Sequence, residues 1–180
     1  MQDPIISIDN LYSGYYDNQV LQDISLKIYP GEIITIIGTS GCGKTTLLKN
    51  LIGLIRPQEG NIEILGMQIQ DLDEDEFIQL RRKIGVLFQN GALLNSISIA
   101  ENIAIPLEQH TGLSPELINY IVKLKLQLVG LENVLTAIPS ELSGGMRKRA
   151  ALARAIALDP IILFADEPGA GLDPVTLASL

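Results

Sequence analysis

The spacing of apolar and polar positions changes several times along the chain, and each change predicts an element. Residues 5–8 and 24–29 alternate as half-buried strands do, with Gly14 and Asp17-Asn18 punctuating the stretch between them. Pro30-Gly31 predicts a turn into 32–37, a β-branched run that reads as a buried strand. A glycine-rich turn follows, then a helix over 44–53, a turn at 56–60 and a short strand over 61–65. Residues 71–82 read as a helix with acids in its first turn, where the helix dipole favours them.

Residues 84–88 predict another strand. From 91 to 142 helical spacing dominates, with Pro106, Pro115 and Pro139 as breaks. Over 145–158, Met146, Ala150, Ala153 and Ala157 share one helical face, and 161–165 is again a continuous apolar strand. No internal repeat or low-complexity tract interrupts this order. Strands and helices alternating around a helical insertion predict an α/β fold, a parallel core with a helical subdomain.

Chemistry concentrates at three places. Gly38-Thr39-Ser40-Gly41-Cys42-Gly43-Lys44-Thr45 fits the phosphate-loop pattern G-x-x-x-x-G-K-[ST], between a predicted strand and a predicted helix. Glycines allow successive N–H groups to turn towards one anion, and a helix N-terminus adds its positive end. Lys44 would reach the β- and γ-phosphates, and Thr45 would offer its hydroxyl to Mg²⁺. A chance glycine-rich turn would lack the two matching flanks. Secondly, the 161–165 strand ends in Asp166-Glu167. Alternation points the two carboxylates to opposite sides, so Asp166 can hold Mg²⁺ through water while Glu167 polarises the attacking water. Alone, the pair reads equally well as an acidic turn. Thirdly, Leu142-Ser143-Gly144-Gly145-Met146 opens a helix with a hydroxyl, two glycines and unpaired N–H groups. Alone, this is an ordinary N-cap at Ser143. A chain with one triphosphate site has no use for a second anion-binding helix start unless it completes the site of another copy.

Composition narrows the classes. A chain of 180 residues, 47% hydrophobic, supports one core. Its 13 Lys and Arg against 21 Asp and Glu argue against nucleic acid as a partner. Cys42 is the only cysteine, which excludes an internal disulfide and suits a reducing compartment. The first residues lack the basic and apolar regions of a secretory signal, and no apolar run approaches the ~20 residues of a membrane span. The expectation is a soluble, cytoplasmic chain that meets the inner membrane only through a partner.

These motifs, in this order, resemble the ABC ATPase family over essentially the whole chain. Walker A matches 38–45, the LSGG signature 142–145 and Walker B 161–166; Glu167 matches the catalytic glutamate and Gln89 the Q-loop glutamine. Gly171-Leu172-Asp173-Pro174 matches the D-loop. The resemblance implies a P-loop NTPase fold: a RecA-like core with a β-subdomain over 1–90 and 150–180, and an ABC-type helical subdomain over 91–149. It implies ATP and Mg²⁺, with Glu167, Lys44 and Gln89 catalytic and Thr45, Gln89 and Asp166 at the metal. Nucleotide contacts carry over to Gly38, Ser40, Gly41, Cys42, Gly43, Lys44, Thr45 and Thr46. Ser143, Gly144 and Gly145 would touch the nucleotide of a second copy in an ATP-sandwich dimer. The family's adenine-stacking aromatic falls on Tyr15 by spacing, with Tyr12 and Tyr16 close by.

A narrower resemblance lies in Leu87-Phe88-Gln89-Asn90-Gly91-Ala92-Leu93, in Pro106-Leu107-Glu108-Gln109-His110-Thr111, and in Met146-Arg147-Lys148-Arg149 behind the signature. These look like the ATPase of Mla-type phospholipid transport, which implies an integral permease, an MCE-domain lipid-binding protein and a STAS-domain subunit. Gln89 would then report nucleotide state to the permease. Non-transport ABC proteins of ribosomes or DNA are the competing class, but the stretch from Lys44 to Asp166 leaves no room for a coiled-coil arm.

Several residues have plainer readings. Cys42 lies beside Lys44 and a helix start, which can lower a thiol pKa, or is a small residue that fits. Asp73-Glu74-Asp75-Glu76 reads as a solvated first turn, Arg147-Lys148-Arg149 as a solvated helix face, and His110 as a surface residue. The family's switch histidine would follow the D-loop by a further strand, whereas the sequence ends at Leu180. The chain as it stands is therefore read as C-terminally truncated, and is expected to bind nucleotide but hydrolyse it poorly. Equal turnover by this chain and by a longer version carrying that histidine would refute the expectation.

Overall fold

A computed structural model describes residues 2–16 and 18–169. Asp17 of the first expected turn, and the D-loop match at 171–174, lie outside the described residues. The chain divides into two compact units, Met1–Gln79 and Leu80–Leu180.

The first unit is built on an antiparallel sheet of order β2-β1-β3-β4, from β1 (Ile6–Tyr15), β2 (Asn18–Ile28), β3 (Glu59–Ile64) and β4 (Met67–Gln68). Ile6 pairs with Ile28 and Ile64, and Ile8 with Leu26 and Ile62. Ile6, Ile8, Ile62 and Ile64 thereby share a face that is almost wholly buried. Both long strands run beyond their alternating stretches. The reason is a bulge: the β1–β2 register shifts after Ile8, and Asn10 and Asp23 take positive φ of 47° and 51°. Asn10 Nδ2 donates to Asp23 Oδ1 at 2.8 Å and Asn10 N to Ser25 Oγ at 2.9 Å, so side chains stand in for the broken ladder. Gly60 faces this bulge, where a Cβ would lie 2.2 Å from Asn10 O.

Helix α1 (Lys44–Leu51) buries Leu47, Leu48 and Leu51. It also buries Asn50, whose Nδ2 donates to Thr46 O at 2.8 Å while its Oδ1 accepts from Ser13 Oγ at 3.0 Å. That pair fixes the helix on β1. Helix α2 (Glu74–Arg81) starts three residues later than expected, because Asp73 Oδ1 accepts from Glu76 N and Glu76 Oε2 from Asp73 N.

The 32–37 run is not the buried strand its composition suggests. Among the described residues it pairs with no strand of its own unit, and Ile33 and Ile37 are 96% and 90% exposed. β propensity records what a segment is able to bury, not whether a ladder partner is present.

In the second unit, β5 (Ile84–Leu87) and β6 (Ile162–Ala165) pair in parallel, Ile84 opposite Ile162 and Leu87 opposite Ala165. Strand β6 is apolar but not buried throughout: Ile162 is buried, and Leu163, on the opposite face, is 45% exposed. Three helices follow the expected order: α3 (Ile99–His110), α4 (Pro115–Leu128) and α5 (Gly144–Ala155). Their core joins Ile99, Ile103 and Leu107 to Val122 and Leu126, and to Ala150 and Ala153 of α5, with Met146 packed against it. Gly85 lets β5 run against the end of α5, since a Cβ there would lie 2.4 Å from Ala155 O. Pro115 starts α4 behind a Ser114 cap and Pro139 starts a 3-10 turn, but Pro106 lies inside α3 and does not break it. The missing N–H costs one intrahelical bond, and the packed face of Ile103, Ala104 and Leu107 keeps the helix running.

Helix α3 carries a buried polar residue, Asn102. Its Oδ1 accepts from Leu94 N at 2.7 Å, and its Nδ2 donates to Leu94 O at 3.0 Å and Ser98 O at 2.9 Å. Asn102→Ala would remove the side-chain partners of Leu94 N and O, while Ser98 O would keep only the Asn102 N–H. The expected loss is about 2 kcal/mol, or a Tm lower by about 4–8 °C for a chain of this size, read by thermal unfolding. An unchanged Tm would show that the 94–98 loop is not held by this side chain.

Candidate nucleotide-binding site

The first unit carries the phosphate loop. Gly41 and Gly43 take φ of 80° and 103°, conformations that a side chain would strain, and Gly43 is the N-cap of α1. Leu47 N donates to Gly43 O at 2.8 Å, so helical bonding starts at the loop's last glycine and the first N–H groups of α1 face back along the loop. Lys44 Nζ folds over the loop and donates to Gly38 O at 2.9 Å and Thr39 O at 3.0 Å, with Cys42 Sγ at 4.0 Å. A Cβ on Gly38 would lie 2.4 Å from Cys42 Sγ, so a side chain there would require the Cys42 thiol to turn away. Ser40, Cys42 and Thr45 are exposed, and Thr46 is buried.

Tyr15, at the end of β1, meets the same helix. Lys49 Nζ donates to Tyr15 Oη at 3.2 Å and lies 5.5 Å from the ring centroid. The Lys49 hydrogen bond lowers the phenol pKa below its ordinary range; the Thr46 hydroxyl helps and desolvation opposes. Tyr15 keeps 42% of its surface, whereas Tyr16 is 98% exposed with φ 52°. Tyr15 is thus held against α1 through Lys49.

The second unit carries the carboxylates. Asp166 N donates to Leu87 O at 2.8 Å, one step beyond the β5–β6 ladder. The backbone then leaves the extended region, with Glu167 at φ 47°. Strand alternation therefore ends at Asp166, and a left-handed turn sets the direction of Glu167. Its Oε2 accepts from Gln89 Nε2 at 2.8 Å, which joins the residue after Phe88 to the catalytic-glutamate match. Ser143 caps α5, its Oγ accepting from Met146 N at 3.2 Å. Gly144 is exposed, and a Cβ on it would meet nothing within 4 Å. Packing within the chain does not demand a glycine there; close approach by another molecule would. A cleft of about 690 Å³ runs between Gln89 and Asn95 on one side and Gly144, Arg147 and Lys148 on the other.

The basic triplet is not a solvated face. Arg147 is exposed, but Lys148 is buried and donates to Glu167 O at 3.2 Å and Pro168 O at 3.0 Å. Arg149 donates from one guanidinium nitrogen to Val129 O and Gly130 O, each at 3.2 Å, closing the C-terminus of α4. Further along α5, Arg154 forks onto Ala92 O at 2.8 Å and Gly91 O at 2.9 Å, and burial lowers its pKa. One signal for Lys148 was present in the sequence: it precedes Ala151 by three positions, on a flank of the buried alanine face. His110 is likewise half-buried, its Nδ1 buried without a hydrogen-bond partner among the described residues.

Comparison with known proteins follows the same stretch of chain. The family model described as "ABC transporter" matches residues 21–170. The "Probable ribonucleotide transport ATP-binding protein mkl" of Mycobacterium leprae is 46% identical over 97% of this chain and 50% of its own length. The "Intermembrane phospholipid transport system ATP-binding protein MlaF" of Haemophilus influenzae is 44% identical over 98% of this chain and 67% of its own. The chain thus spans about half to two thirds of the length of these relatives. Among solved structures, the ATP-binding cassette MJ0796, as a dimer in a post-hydrolysis state bound to ADP and Pi, superposes with a TM-score of 0.89. It is 34% identical over 97% of this chain and 78% of that one. The cbiO1 protein of Clostridium perfringens gives 0.85 and 30% identity, over 98% of this chain and 70% of its own. The matched stretch takes in the phosphate loop, the signature helix and the Asp166-Glu167 strand end together, and the chain belongs to the ABC transporter family.

Proposed function

We propose that the protein is the ATP-binding and ATP-hydrolysing subunit of an ABC transporter that moves phospholipid through a membrane partner. The observation that carries the hydrolytic reading is the Gln89–Glu167 hydrogen bond at 2.8 Å. It engages Oε2 and leaves Oε1 to accept from a water molecule. That water attacks the γ-phosphorus, its proton passes to the carboxylate, and the bond to the ADP oxygen breaks. In this reading the phosphate loop, Lys44 and Thr46 hold the nucleotide, Tyr15 stacks on its adenine, and Ser143, Gly144 and Gly145 serve the nucleotide of a second copy. The donors assigned to Mg²⁺ are oxygens throughout: the Thr45 hydroxyl, the Gln89 amide oxygen and the Asp166 carboxylate, the set a hard cation takes. When bound, the ion neutralises charge on the phosphate oxygens.

The substrate reading rests on the MlaF relatives and on the short stretches around Gln89, His110 and Met146. By that likeness the partners are an integral permease, an MCE-domain lipid-binding protein and a STAS-domain subunit, with the ATPase on the cytoplasmic face of the membrane. No described helix is long and apolar enough to cross a membrane, in keeping with attachment through a partner.

Two measurements test the reading. Glu167→Gln should lower kcat by about 100-fold or more while ATP affinity changes less than about 2-fold. Near-normal turnover would remove Glu167 from the role of base. In cells or vesicles with the assembled transporter, Lys44→Ala should abolish ATP-dependent transfer of labelled phospholipid. Undiminished lipid transfer, with loss of ribonucleotide uptake instead, would favour the substrate class for which the mkl relatives are named.

A further inference from the structure

Lys148 is a cation in an unusual place. It is 9% exposed, and a buried ammonium is stable only where oxygens replace its water. Two of those oxygens are the backbone carbonyls of Glu167 at 3.2 Å and Pro168 at 3.0 Å. They are the carbonyl of, and the next carbonyl after, a residue whose own backbone is disfavoured: Glu167 is neither glycine nor asparagine, yet it takes φ 47°. Such a conformation persists only where its surroundings over-determine it. The far end of the same side chain is held by Gln89 at 2.8 Å. The turn after Gln89 is in turn held by Arg154, through Gly91 O and Ala92 O. Lys148 and Arg154 both belong to α5, the helix that Ser143 caps.

We propose that Lys148 is a positioning residue for Glu167: its ammonium ties the signature helix to the backbone that carries the carboxylate. Arg154 holds the Gln89 turn from the same helix, so both members of the Gln89–Glu167 pair take their place from α5. A displacement of α5, such as one imposed at Ser143 and Gly144 by a nucleotide on a second copy, is then passed directly to the hydrolytic pair. The inference rests on Glu167 being the base.

The test is steady-state ATP hydrolysis by the full-length protein with Lys148→Met, Lys148→Arg, Glu167→Gln and the Lys148→Met/Glu167→Gln double variant. Lys148→Met should lose about 10- to 100-fold in kcat, with KM for ATP within about 2-fold, as expected when a reacting group is misplaced and binding is intact. Lys148→Arg, which keeps charge and donors, should recover most of the rate. In the Glu167→Gln background the methionine change should cost nothing further, because the group it positions no longer acts. The same fold loss in both backgrounds would make Lys148 a packing anchor and overturn the proposal, as would wild-type kcat in a folded Lys148→Met. If methionine prevents folding, Lys148→Gln takes its place in both backgrounds and is judged in the same way. A fully active Glu167→Gln would instead sink the reading of the base, so the two failures are told apart.

Discussion

Close packing of the alanine face of α5 sets the geometry of the second unit. Ala150 and Ala153 have almost no exposed surface, and side chains this small let the helix lie tightly within the cluster formed with α3 and α4. Tight seating brings the long side chains on its flanks into range of backbone that a bulkier helix would hold away. Lys148, Arg149 and Arg154 each donate to backbone carbonyl oxygens. A charge-assisted bond to a carbonyl fixes loop backbone directly, and three of them leave α5 as the frame on which the Glu167 turn, the Gln89 turn and the end of α4 are mounted.

The first unit uses a different device for the same purpose. Its phosphate loop sits at the start of a helix of only eight residues, too short to be stable by itself. Burial of three leucines and the Ser13–Asn50 hydrogen bond hold that helix to β1. A buried amide with both ends satisfied permits one registration of helix on strand, where leucines alone would permit several. The glycines can then stay conformationally permissive, because the helix behind them is not.

Much of this was legible in the residues. The loop at 38–45, the helices expected from 44 and 145 and the strands expected from 84 and 161 follow from periodicity and from N-terminal signals, with the starts at 145 and 161 each off by one residue. What escaped had physical reasons. The Asn10–Asp23 bulge broke the alternation that marks a strand, so β1 and β2 read short. Pro106 read as a stop because the packing that carries α3 through it is not local. The 32–37 run read as buried because isoleucine content reports capacity, not a partner. Lys148 and Arg149 read as solvated because composition treats a basic triplet as surface, whereas the helix turns each residue to a different neighbour. For the site, identities and order were readable, but the joining of Gln89 to Glu167 spans 78 positions and depends on tertiary structure alone.

The left-handed backbone at Glu167 also limits how substitutions there are to be interpreted. A valine or threonine at that position would strain the turn more than glutamate does before any chemistry is considered, because β-branched side chains are outliers at positive φ, and glycine would relax it. A survey of tolerated residues at 167 would thus mix two filters, one on backbone shape and one on the carboxylate. Only replacements that match glutamate in length and branching separate them, so a position intolerant to most residues is not, on that ground, shown to be a base.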